Sequence, residues 1–540
     1  MPRRSARSWA GLALLGCTLT GCGGGATPPP PKSGFAPGTL RLAQRSDFGS
    51  LDPARANDTA SVAVERMLFQ PLLDYDADST LVTLVAEDVP SPSDGGKRYT
   101  FHLKKGVRFS NGREVTADDF IYAWTRVLNP KTKSPGASYI VDRIVGAHDF
   151  ADGKAGAVAG LRALDPSTLE VNLVKPDFTF LYVTAMTFFA PVPREEVEKY
   201  PEADRDDEFA VRPVGDGPFV LKEWRRGLRM RLERDPHYWG APPGLDAIDV
   251  KFNLDDLTKQ MMFERGELDL TETVPAADYV RLRRDPRWRP YIERLVVNGE
   301  YYLNLNCEMP PFDGPNGKLV RQAFCYAIDR DRIVKVTNDR YVPSDGVVPP
   351  GIPGYHSLVK GYPYDPEKAK KLLAEADYSY GPLTLWYPNE TSNADRIAQV
   401  IKQDLADVGV EAALNPINYS AFLPPAQRRH TVALSFSGWY QDYPDASDFL
   451  DVLFSGAVIT NEGCSNMSFY QNDRADALMA VGDAEADPAK RLEDYEQAEE
   501  VIVDDAPVVP LVQGVEIWMR QPWIKGFKIH PVWLVRYEDL

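Results

Sequence analysis

The chain has 540 residues, of which 44% are hydrophobic and 26% charged. Those values suit a folded chain with room for several domains, and they exclude a miniprotein, wholesale disorder, collagen and a coiled coil. With 61 Lys and Arg against 78 Asp and Glu the formal charge is -17, a balance that disfavours nonspecific attraction to nucleic acid.

At the N-terminus, Arg3, Arg4 and Arg7 precede an apolar stretch from Trp9 to Leu19. It is too short to span a bilayer as a mature helix but suits the core of an export signal. The stretch closes on Leu19-Thr20-Gly21-Cys22, which resembles the bacterial lipobox. Residues 1–21 are therefore expected to be a lipoprotein signal peptide, with a lipid on Cys22. Leu14-Leu15-Gly16-Cys17 fits the pattern more loosely and would leave a shorter apolar core. Residues 22–38, with Gly23-Gly24-Gly25 and Pro28 to Pro31, offer little to bury and read as a flexible, then stiff, tether. No later run approaches the roughly 18 apolar residues of a membrane helix. The expected product is a periplasmic or cell-envelope body held to a membrane by its first residue.

Helix-like and strand-like segments alternate through the remaining chain, which sets the class as mixed α/β. Tyr99 to Leu103 and Val107 to Phe109 alternate like paired strands, with a turn at Ser110-Asn111-Gly112. Thr116 with Asp119 three residues later predicts an N-capped helix through Leu128. Pro218 to Trp224 and Arg229 to Glu233 form a second hairpin pattern. Helices are predicted at 366–376, 394–408 and 488–504, and strands at 383–387, 410–414 and 432–437. That alternation describes an α/β lobe over roughly 299–511.

Sequence signs of catalysis are few. HExxH, GxSxG, a GxxxxGK[ST] phosphate loop and closely spaced Cys/His clusters do not occur. The six histidines, at 102, 148, 237, 356, 430 and 530, stand singly. Asp74, Asp76 and Asp78 imitate the start of a calcium loop, but Ser79 and Val85 stand where Gly and Glu are required. No metal or other cofactor is expected. Removing Cys17 and lipidating Cys22 leaves Cys307, Cys325 and Cys464, for which one disulfide and one free thiol is the simplest accounting in an oxidising compartment. Cys325 lies in a helix-period segment and reads as a small buried residue, which leaves Cys307 with Cys464 as the pair.

Trp439 and Asp442 follow the strand predicted at 432–437 and precede a helix beginning near Asp445. That places them at a strand's carboxyl end, where open α/β sheets put ligands. The alternative is that Asp442 caps a turn and Trp439 plugs the core.

Four stretches carry a resemblance: YTFHLKKGVRFSNGREVTADDFIYAWTRVLNP at 99–130, GDGPFVLKEWRRGLRMRLERDPHYWG at 215–240, YYLNLNCEMPPFDGPNGKLVRQAFCYAIDR at 301–330 and WYQDYPDASDFL at 439–450. In this order, and with Ser50-Leu51-Asp52-Pro53, they resemble the extracellular solute-binding proteins of peptide ABC importers. The resemblance covers essentially the whole mature chain. It implies a two-lobed periplasmic binding protein fold with an extra domain, hinged to close around a cleft. The implied division is domain I from 39–75, 209–298 and 512–540, domain II from 76–208 and domain III from 299–511.

It further implies no enzymatic activity. The expected role is a lipid-anchored, monomeric carrier that delivers oligopeptides to a permease and its ATPase. Asp442 would pair with the peptide's α-ammonium, the main chain at Gly438 and Tyr440 would hold the peptide as a strand, and Tyr301 and Tyr302 are candidate pocket or gate residues. Side chains would enter roomy hydrated pockets. Two positions depart from some relatives: Tyr440 stands where they carry a cysteine, and Phe436 where they carry an arginine that meets the peptide carboxylate. Alternatives on the same fold are a binder of a nickel complex, heme or an oligosaccharide; outside it, a secreted hydrolase.

Overall fold

The computed structural model describes residues 37–540 apart from 57, 202–204, 273, 356–360, 390–391 and 486. The expected signal peptide, Cys22, nearly all of the tether and His356 lie outside the described residues.

The first lobe joins distant parts of the chain. Thr39–Ala43 runs parallel to Ala247–Lys251, which pairs antiparallel with Arg229–Arg234, and that strand with Phe219–Arg225. The hairpin of 219–225 and 229–234 thus forms as its alternation predicts. A separate three-stranded sheet contains Arg98–His102, Thr168–Asn172 and Leu161–Asp165. One continuous core, from Leu40 and Ile248 to Tyr99, Phe120 and Trp124, lies beneath both sheets. The helix Ala117–Leu128 starts as predicted: the Asp119 carboxylate accepts from the Thr116 amide at 2.8 Å and from its hydroxyl at 3.0 Å.

The pairing predicted between 99–103 and 107–109 does not form. Arg98–His102 pairs with Thr168–Asn172 instead. Val107 and Phe109 are buried, so their alternation records burial. Their backbone closes a local turn, through the Phe109 amide to the Arg113 carbonyl and the Val115 amide to the Val107 carbonyl.

The second lobe is built on a mixed sheet. Gly299–Leu305, Leu434–Tyr440, Leu383–Pro388 and Ala412–Ile417 are successive neighbours in it, and Val508–Arg520 flanks Gly299–Leu305. Helices Gly317–Ala327, Pro366–Glu375 and Ser392–Asp407 cover one face, around Leu303, Phe324 and Leu385; the other face packs Tyr302, Phe449 and Tyr495. The long strand Val508–Arg520 pairs with Gly299–Leu305 at its start and with Ile292–Val296 towards its end, where Val515, Ile517 and Met519 pack against Ala43, Phe263 and Trp288. Residues 292–305 and 508–520 therefore run from one lobe into the other.

Two predicted strands are displaced. The one expected at 410–414 spans Ala412–Ile417, and the one expected at 432–437 spans Leu434–Tyr440, so Gly438 and Trp439 belong to the strand rather than to a loop after it. The expected disulfide is also absent. Cys307, Cys325 and Cys464 are free thiols. The loops of Cys307 and Cys464 do meet, through the Cys307 amide and the Ser468 carbonyl at 2.8 Å. Each sulfur, however, turns to a carbonyl of its own segment: Cys307 to Leu305 at 3.5 Å, and Cys464 to Asn466 at 3.3 Å.

Candidate functional site

The strand Leu434–Tyr440 has one covered edge and one largely open edge. It pairs antiparallel with Gly299–Leu305, in a register that sets Tyr301 opposite Gly438 and Gly299 opposite Tyr440. Just beyond the ladder, in the same register, the Asn306 amide donates to the Ala433 carbonyl at 3.0 Å. Hydrogen-bonded residues alternate along an antiparallel ladder, so Ser435, Ser437 and Trp439 bond towards Gly299–Leu305. The main-chain groups of Gly438 and Tyr440 point the other way. On that side Leu383–Pro388 pairs only with Leu434 and Ser435; among the described residues no strand covers the edge beyond them.

Two residues after this strand, Asp442 is exposed at the mouth of the space between the lobes. Its amide donates to Asp448 Oδ2 at 2.8 Å, and the Trp439 indole N–H donates to the same oxygen at 3.3 Å. Asp448 is fully buried, and its other carboxylate oxygen has no hydrogen-bond partner among the described residues. Burial first, and then the charge of Asp442, push the Asp448 carboxyl well above the usual range. Asp442 is also pushed up, because protein from both lobes displaces water around it, while a hydrogen bond from Tyr139 works in the opposite sense. Asp445 fixes the turn between them. Its carboxylate accepts two bonds from the buried Arg491 guanidinium, at 2.6 and 2.7 Å, and the Ser447 amide at 3.0 Å.

The first lobe supplies the facing wall. Tyr139, at the end of Pro135–Tyr139, directs its hydroxyl at Asp442. Arg143, held by Thr179 Oγ1 at 2.9 Å and Asp177 at 3.3 Å, lies near Tyr443; burial opposes its charge, but Asp177 and then Tyr443 keep its pKa above the ordinary value. The Tyr182 ring stacks on Tyr443 with centroids 5.7 Å apart and planes 7° from parallel. Two cavities lie between the lobes. One of about 700 Å³ has Phe178 and Tyr182 on one side and Glu485 and Arg491 on the other. The second, of about 370 Å³, is bounded by Arg143 and Asp177 against Tyr443 and Asp483. The arrangement can hold a solute by charge and main-chain hydrogen bonds, between two bodies joined by a pair of crossing strands.

The model for bacterial extracellular solute-binding proteins, family 5 Middle, matches residues 80–461, more than half of the chain. The chain belongs to this family. The glutathione-binding protein GsiB of Escherichia coli K12 is 29% identical over 512 residues, covering 94% of each chain. The structure of the Escherichia coli murein tripeptide binding protein MppA matches with a TM-score of 0.72 at 26% identity, over 93% of this chain and 98% of that one. The periplasmic binding protein DppA of Helicobacter pylori, solved with the peptide STSA, matches with a TM-score of 0.74, also at 26% identity and the same coverage. The chain is thus a two-lobed solute-binding protein of the peptide ABC transporter type, and not an enzyme.

Within this family member, the residues singled out from sequence separate by face. Tyr301, Gly438 and Tyr440 share one face of the sheet, and Asp442 follows at the cleft. Tyr302 does not reach the cleft: strand alternation turns it to the opposite face, where it is 5% exposed and packs beside Val347 and Phe449. Trp439 lies on that same face and steadies Asp448. Sequence reasoning missed Asp448, Asp445 and Tyr443, although all three lie in the quoted run WYQDYPDASDFL, in which aspartates recur every third residue. Tyr139, Arg143, Tyr182 and Arg491 carried no local signal.

Proposed function

We propose that the protein captures oligopeptides between its lobes and delivers them to a membrane permease and its ATPase from a lipid anchor at Cys22. In this reading 39–75, 209–298 and 512–540 move with 76–208 as one lobe, and 299–511 closes on them. The observation that carries it is the position of Asp442, a carboxylate facing the other lobe two residues beyond an uncovered strand edge. A peptide's α-ammonium supplies the opposite charge that a partly desolvated carboxylate lacks, and its backbone adds as a strand to the main chain of Gly438 and Tyr440. Relatives named for glutathione, for a murein tripeptide and for a complex with the peptide STSA support a short peptide as the solute.

The test is Asp442→Ala, titrated calorimetrically with free-amine peptides identified by mass spectrometry of gently purified protein. Loss of one partner of the ion pair is expected to weaken binding by about 2 to 5 kcal/mol, roughly 30- to several-thousand-fold. Unchanged affinity in a variant of intact fold, or cleavage of the peptides, refutes the reading.

A further inference from the structure

On the face of Leu434–Tyr440 that carries Phe436, Gly438 and Tyr440, the second lobe holds a pocket of about 280 Å³. Its walls include Tyr301, Tyr341, Ile397, Phe422, Phe436 and Tyr440, and none of its described lining residues is charged. The Tyr301 ring meets Tyr341 edge-on at 5.5 Å and Tyr440 edge-on at 5.9 Å, and the Tyr301 and Tyr440 hydroxyls are 2.8 Å apart.

Two glycines make this wall possible. A Cβ on Gly438 would come within 2.7 Å of the Tyr301 ring, and one on Gly299 within 2.7 Å of the Tyr440 ring. Because these residues face each other in the ladder, each tyrosine lies across a glycine of the opposite strand. The rings are held by the sheet itself and by the bond between their hydroxyls. Tyr440, 48% exposed, stands at the mouth.

Position and size indicate what enters. Gly438 and Tyr440 contribute to the pocket and to the open strand edge alike, and Asp442 lies two residues past Tyr440, just beyond the strand's end. A peptide fixed at Asp442 and laid along that edge brings one of its first three side chains over the pocket. An apolar cavity of roughly 150 Å³ already takes benzene, whereas sites for whole drug-sized ligands run from about 300 to 1,000 Å³. The space therefore suits one large side chain and not a complete ligand. A lysine or arginine would be stripped of water with no carboxylate among the described lining residues to meet it, which is costly.

We propose that the protein selects peptides carrying a bulky apolar side chain, aromatic above all, near the amino end, with this pocket as the selecting element. The inference rests on the peptide-binding reading and narrows it, since the pocket is apolar where a tolerant site would be hydrated.

The probes are trialanine and its variants with Phe or Lys at positions one, two or three, titrated calorimetrically. Phe at one position is expected to bind roughly 10- to 100-fold tighter than Ala there, from burial of the ring, while Lys at that position gains nothing. Ala394 and Leu423 also line the pocket, and filling it by Ala394→Phe, or separately by Leu423→Trp, is expected to bring the Phe-to-Ala affinity ratio towards one, with folding checked by circular dichroism. The inference is overturned if trialanine binds and Phe gains at no position, or if the gain survives both fillings. Failure of trialanine and of every variant peptide to bind overturns the peptide reading itself, and this inference with it.

Discussion

Asp442 pairs a charge requirement with an environment that opposes charge. Its carboxyl is raised by crowding from both lobes, so in the ligand-free protein it takes up a proton at higher pH than an ordinary aspartate. An ammonium ligand needs it ionised, and binding must therefore expel that proton. The sign follows: affinity is full above the raised pKa and declines as pH falls through it. A free-amine peptide should weaken on acidification starting above the ordinary carboxylate range near pH 4, with proton release visible when titrations in two buffers are compared. An N-acetylated peptide should bind poorly and show no such slope. An equal slope for both peptides would assign the proton to another group, such as the buried Asp448.

At the scale of elements, folding draws on carboxylates as fasteners. Asp216, fully buried, accepts the Gln70 amide at 2.8 Å just past the helix Thr59–Leu68, and its carbonyl accepts the Trp239 indole N–H at 2.9 Å. It thereby ties that helix to the strand Phe219–Arg225 and to the turn after the hairpin. Burial pushes its carboxyl up to about 8, and its second oxygen has no hydrogen-bond partner among the described residues. The folded protein thus holds a proton that the unfolded chain has lost above about pH 4, so this group's contribution to stability is largest in acid and declines as pH rises from about 4 to about 8. Asp216→Asn should remove that decline, read as a flatter dependence of Tm on pH over the window; an unaltered profile would show that Asp216 does not titrate there. Sequence made much of this scale legible. Thr116 with Asp119 specified a helix start, the alternation around Arg229 specified a hairpin, and the tryptophan-aspartate run contains Tyr443, which meets Tyr182 of the other lobe. What it could not show depends on long-range pairing. The partner of Arg98–His102 comes from residues 168–172, and the end of Leu434–Tyr440 is set by contact with Gly299–Leu305. The face each of Tyr301 and Tyr302 occupies follows from that register, which is why one reached the pocket and the other the core.

For the whole molecule the decisive quantity is the balance between open and closed lobes, because a ligand shifts it only by its differential affinity for the two. The structure shows an aromatic ladder across the divide: Tyr75 stacks on Tyr182 at 6.4 Å within the first lobe, and Tyr182 stacks on Tyr443 of the second at 5.7 Å. The Tyr182 hydroxyl also lies near Asp445, itself locked by Arg491. An aromatic pair contributes about 0.5 to 1.5 kcal/mol beyond its buried area, which is roughly a 2- to 13-fold weight on the closed form. Tyr182→Ala should therefore move the ligand-free population towards open lobes, visible as a longer distance between fluorophores placed on the two lobes. It should weaken ligand affinity by about the same factor, since apparent affinity scales with the fraction already competent to bind. Tyr182→Phe keeps the stack and removes the hydroxyl near Asp445, so it separates the ring's contribution from the hydroxyl's. If the alanine variant left both the distance distribution and the affinity unchanged, the ladder would be a passive contact and closure would be governed by the crossing strands 292–305 and 508–520 alone.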